Sequence, residues 1–100
     1  MTVYFKPEEF GGRIQMLRKR QGDSQKRMSR ALDVSDDYIG KVERGVLVPS
    51  PEMLIAIADY LKVSTDYLLI GREYEPLAAR ERLLELMEEA VRILLAQQPD

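Results

Sequence analysis

The sequence predicts an all-α fold of five short helices followed by one longer amphipathic helix. Three observations predict it. Apolar residues recur at spacings of three and four along most of the chain, which places each set on one helical face. Helix boundaries are punctuated: Ser24, Ser35, Ser64 and the pair Ser50-Pro51 stand at starts, and Gly22, Gly45 and Gly71 at ends. From Leu77 onward, Leu77, Leu84 and Val91 recur every seven residues, with Met87 and Leu94 at the intervening position.

Residues 1–12 read as a leader. Pro7 discourages helix before it, and Gly11-Gly12 weaken helix after it, although Phe10 stands four residues before Ile14 and can open the core. The first helix is expected over Arg13–Gln21, with Ile14 and Leu17 inward and a basic cluster of Arg18, Lys19 and Arg20. The second starts at Gln25, with Met28, Ala31 and Leu32 on one face. A tight turn holding Asp33 and Val34 follows, and aspartate tolerates the left-handed region that such a turn needs. Asp36–Arg44 reads as the third helix, with Ile39 and Val42 inward, Ser35 as its cap and Gly45 beyond its end. Gly40 inside it costs about 1 kcal/mol relative to alanine. Val46-Leu47-Val48 either folds inward as core or forms an exposed patch of the kind that marks a partner. The fourth helix begins at Ser50-Pro51 and runs to Leu61, with Leu54, Ile55, Ala58 and Leu61 inward. The fifth follows Ser64, with Leu68 and Leu69 inward. Residues 13–71 thus form one domain, 72–76 a linker, and 77–98 the long C-terminal helix.

Composition narrows the chemistry. The chain has 100 residues, suited to a single domain with one added element. It holds no cysteine and no histidine, which removes disulfides, thiolate chemistry and the commonest metal ligand and general base. No cofactor or metal is expected, and an enzyme is not. No apolar run approaches the ~20 residues that span a bilayer, and Met1–Phe10 lacks the apolar core of a signal peptide. A cytoplasmic protein with no membrane partner is the expectation. The net charge of −2 is unevenly spread: residues 13–44 carry nine Lys or Arg against five Asp or Glu, whereas residues 45–100 carry five against ten. A basic block of this kind suits a phosphate-facing surface or an ordinary solvated face.

The stretch from Ser24 to Gly45 resembles the helix-turn-helix of the phage Cro and repressor family, the XRE-type regulators. The resemblance rests on Ser24-Gln25, Val34-Ser35, Tyr38-Ile39, Glu43-Arg44-Gly45 and Pro49-Ser50, and continues into Val63–Gly71. It implies a five-helix repressor-like DNA-binding domain whose third helix enters the major groove. By that resemblance Gln25 holds a DNA phosphate, and Arg18 and Glu43 form an ion pair tying the first helix to the end of the third. Lys26 and Arg27 lie in the same first turn as Gln25, where free amides and the helix dipole favour an anion. The family's base-reading positions fall on Asp36, Asp37 and Lys41, while Ser35, Tyr38 and Arg44 complete the expected DNA-binding set. Lysine donates to guanine O6 and N7; aspartate accepts from cytosine N4 or adenine N6. Acidic residues in a first helical turn also simply favour the dipole, and Tyr38 suits either a phosphate or partial core. Asp23, Ser29 and Asp33 depart from the family's usual apolar residue, alanine and glycine.

The resemblance also implies a dimer helix at the C-terminus. Leu77, Leu84, Met87, Val91 and Leu94 are the expected interface, since two recognition helices must be held one DNA turn apart to read a palindrome. Packing of this helix back on its own core is the alternative. The function expected is a sequence-specific transcriptional regulator, a homodimeric repressor of double-stranded DNA. The alternative is a protein-interaction module or antitoxin with weak or lost DNA binding, taking a protein partner through the C-terminal helix.

Overall fold

The computed structural model describes residues 5–73 and 77–97, with the side chains of 77–80 outside the described set, and among the described residues the regular secondary structure is all helix. Six helices follow in order: α1 (Pro7–Arg20), α2 (Gln25–Ala31), α3 (Tyr38–Glu43), α4 (Pro51–Leu61), α5 (Thr65–Ile70) and α6 (Leu77–Ala96).

α1 is the element against which the domain is built. It packs on α3, α4 and α5, while α2 packs on α3 and α4 on α5. Its start differs from the expectation. Pro7 occupies the first turn, where its missing amide costs nothing, so the helix begins six residues before Arg13 and takes in half of the expected leader. Glu8 and Glu9 in the first turn and Arg18, Lys19 and Arg20 in the last complement the helix dipole. Gly11, read as a weak point, is instead a contact point. A Cβ there would lie 2.4 Å from the carbonyl oxygens of both Val42 and Glu43, so the α1 and α3 backbones meet where no side chain fits.

The core is one cluster: Phe10 and Ile14 from α1, Met28 from α2, Ile39 and Val42 from α3, Ile57, Ala58 and Leu61 from α4, and Leu68 from α5. Leu17, Leu32, Leu54 and Leu69 pack around it, half-buried. One register differs from the sequence reading. Ile55 is 62% exposed and Ile57 fully buried. The uninterrupted apolar run Met53–Ala58 fits more than one helical face, and packing against α1 and α5 selects the 54, 57, 58, 61 stripe. The Val46-Leu47-Val48 loop splits between its two readings: Leu47 packs on the core, whereas Val46 and Val48 are exposed.

The first three helices close in the same way. After α1, α2 and α3 the chain turns through a left-handed residue, Gly22, Asp33 and Gly45 respectively. In each case the next amide reaches back across the turn: Asp23 to Arg18, Val34 to Ser29 and Val46 to Lys41. Asp33 therefore performs the glycine's role at φ 58°. Ser24, Ser50 and Ser64 cap α2, α4 and α5 through their hydroxyls. Arg13 adds a long-range cap, donating from Nε and Nη2 to the carbonyls of Leu68 and Leu69 at the end of α5.

Candidate nucleic-acid interface

The α2–turn–α3 unit is held on α1 by one buried carboxylate. Arg18 donates to Glu43 from Nε at 2.6 Å and from Nη2 at 3.0 Å, a two-point ion pair between α1 and α3. Nη1 of Arg18 reaches the Asp23 carbonyl at 2.8 Å. The hydrogen bonds to Glu43 raise the Arg18 pKa further, so the guanidinium is permanently charged. Gln25 closes the junction: its amide nitrogen donates to Glu43 Oε1 at 2.9 Å. A Cβ at Gly40 would lie 3.0 Å from Gln25 Oε1, so the glycine makes room for that side chain. Three helices thus share the Glu43 carboxylate, and the angle of α3 on the domain is set there.

α3 begins at Tyr38, two residues later than expected, and its start is secured from another helix. Asp37 stands at the cap position without capping through its side chain, and Ser35 donates instead to Asp37 Oδ1 at 2.9 Å. The buried hydroxyl of Ser29 on α2 accepts the Ile39 amide at 3.2 Å. Ser29, a departure from the family's alanine, is thereby a cap supplied across the turn. Asp23, the apolar-to-acidic departure, accepts the Tyr60 phenol and the Ser24 amide and lies 3.5 Å from Arg27. Its bond holds the Tyr60 phenol above the usual range. The Tyr60 contact is not evident in the sequence, because Tyr60 lies on α4, thirty-seven residues away.

The outward surface of the unit mixes charges that pair with each other. Arg30 grips Asp36 from Nε and Nη2 at 3.0 and 3.1 Å. Lys41 lies 3.0 Å from Asp37 Oδ2, one turn back along the same edge. Hydrogen bonds from Arg30 hold the Asp36 carboxyl below its ordinary pKa. Lys41 and Ser35 do the same for Asp37. Lys26, Arg27, Lys41 and Arg44 are exposed, as are Ser35, Asp36 and Asp37; Tyr38 is half-buried against the core, and burial raises its pKa. Arg30, absent from the residues singled out by sequence, joins this surface. Among the described residues no group of His, Cys, Asp or Glu is arranged to hold a metal ion.

The helix-turn-helix family profile matches residues 14–68, the span that carries these contacts. The chain belongs to the XRE-type helix-turn-helix family. Members of this family are DNA-binding transcriptional regulators, not enzymes. Two relatives come from Bacillus subtilis. The HTH-type transcriptional regulator YazB is 38% identical over 61 residues, 61% of this chain and 88% of that protein. The SPbeta prophage-derived regulator YonR is 39% identical over 62 residues, 62% of this chain and 57% of that one. Among solved structures, the P22 c2 repressor in complex with a synthetic operator superposes with a TM-score of 0.61 at 35% identity, covering 63% of this helix-turn-helix chain and 96% of the repressor. The clp gene regulator ClgR of Corynebacterium glutamicum matches along 94% of this chain and 95% of its own, at TM-score 0.60 and 26% identity. Among the described residues no helix is long and apolar enough to cross a membrane.

Proposed function

We propose that this regulator is a homodimeric repressor that reads a palindromic operator by inserting α3 into the major groove. The observation that carries the reading is the Glu43 junction, which holds α3 rigidly on α1 and α2 while its outer edge, with Lys41 and Arg44, stays exposed. A recognition helix needs that combination, since base contacts require a fixed register on the duplex. Lys26 and Arg27 on α2 supply phosphate contacts beside it, and Gln25 acts through the Glu43 junction as well as at the backbone. The likeness to a repressor solved with its operator supports this assignment. Dimerisation through Leu84, Met87, Val91 and Leu94 holds two α3 helices one DNA turn apart; Leu77, the fifth expected interface residue, has its side chain outside the described set. Occlusion of a promoter then represses, in the cytoplasm where the DNA lies.

The test is binding of the purified protein to its own upstream DNA and to scrambled DNA at two salt concentrations. The upstream site is expected to bind at least ~10³ more tightly, as specific sites do, with affinity falling steeply as salt rises. A second reading, a protein-interaction module or antitoxin, is favoured by the exposed Val46 and Val48 and by the pairing of Asp36 and Asp37 with neighbouring cations. Absence of binding to either DNA at low salt would select it.

A further inference from the structure

The apolar surface of α6 is too wide for one partner helix. All residues from Glu81 to Gln97 are exposed, and the large apolar side chains among them are 51–63% exposed. All but Leu95, which lies on the outer flank of the first seam, sort together with Ala90 into two seams. Leu84, Met87, Val91 and Leu94 follow the three–four alternation of a helix-pairing stripe. Leu83, Leu86, Ala90 and Ile93 follow the same alternation one residue earlier. One residue of α-helix is a rotation of about 100°. The second seam is therefore the first, repeated about 100° around the same helix. Glu81, Arg82, Glu85, Glu88, Glu89 and Arg92 occupy the remaining arc and leave the two seams adjacent and uninterrupted.

A two-stranded pair covers a single seam and would leave the large apolar side chains Leu83, Leu86 and Ile93 in water. In a bundle of four helices each helix touches two neighbours, in directions roughly 90° apart, as at the corner of a square. The angle between the α6 seams matches that corner. The alternating three–four spacing of the second seam is also the repeat of a face that receives a helix. The five-helix domain offers less to receive it: three large apolar side chains, Val46, Val48 and Ile55, are 55–70% exposed, and Phe5, Met16 and Ile70 are 37–39% exposed.

We infer that the second seam joins two dimers, so that four copies of α6 form a four-helix bundle and the protein is a tetramer carrying two pairs of DNA-binding domains. This rests on the homodimer reading above. Light scattering on the full chain at tens of micromolar tests it. The expected mass is four times the 11.5 kDa chain, and the double variant Leu86→Glu, Ile93→Glu is expected to halve it while keeping the helical circular-dichroism signal and upstream-DNA binding. A wild-type mass of two chains, with α6 seams meeting in one pair or covered by the partner's domain, overturns the inference. So does a double variant that keeps the wild-type mass. A four-chain protein that binds no DNA would uphold the bundle and remove the operator; a two-chain protein that binds its upstream site would do the reverse.

Discussion

Two adjacent glycines on α1 have opposite consequences. At Gly11 a methyl group would press on two backbone carbonyls of α3, neither of which can move without shifting the helix. Gly11→Ala is expected to destabilise the domain by about 1–3 kcal/mol or more, read as a fall in thermal midpoint. At Gly12 nothing lies within 4 Å of the added methyl, so Gly12→Ala is expected to stabilise by about 0.5–1 kcal/mol through helix propensity. Equal effects from the two substitutions would contradict the close approach. The Arg18–Glu43 pair is buried on both sides, with side chains 8% and 1% exposed. Removing one partner strands the other charge, and Glu43→Ala should cost about 3–5 kcal/mol in urea unfolding. Replacing both with apolar residues of similar volume should cost far less, and DNA binding would then report whether the junction positions α3 or merely stabilises it.

At the scale of the element, the α2–α3 unit carries a pH signature. Asp36 and Asp37 have folded pKa values below the ordinary 3.8, so their pairing contributes stability that is present above that value and is lost as pH falls through the lower folded values. Both carboxylates are exposed, so the effect is small and screened by salt. Asp36→Asn with Asp37→Asn should lower the neutral plateau slightly and flatten the stability profile below about pH 4 by the same amount; an unaltered acid limb would show that the pairs are not maintained in solution. Tyr60 has the opposite sign. Its phenol is raised above 10.0 by the Asp23 bond, so that contribution is present at lower pH and lost as pH rises through the raised value. Ser29→Ala leaves the buried Ile39 amide without its acceptor and should cost about 1–3 kcal/mol, with a matching loss of operator affinity as α3 frays at its start.

For the whole molecule, the proposed repressor depends on the spacing of two recognition helices. Leu84→Glu with Val91→Glu places charge in the first seam of α6 and is expected to lower the assembly state. Operator affinity should then drop by orders of magnitude, because each half-site is bound alone. The five-helix domain should keep its thermal midpoint, since no residue from Glu81 to Gln97 is buried in its core. An unchanged operator affinity in a monomeric variant would show that one domain suffices for recognition.

Much of this architecture was legible in the chain because its signals are local. Serine caps, Pro51, the left-handed positions 22, 33, 45 and 71, and apolar spacing act within one or two turns, so they located the starts of α2, α4, α5 and α6. Where the reading missed, the missing information was non-local. α1 starts at Pro7 because α3 lies against Gly11; α3 starts at Tyr38 with its Ile39 amide held by Ser29; Ile57 rather than Ile55 turns inward because α1 and α5 choose among the faces of an apolar run. The site shows the same division. The sequence by itself determined a helix-turn-helix with a basic edge, since residue types and their spacing specify both. Only the tertiary structure decided that Arg30 meets Asp36 and Tyr60 meets Asp23, because these contacts form across folds of the chain that no local pattern encodes.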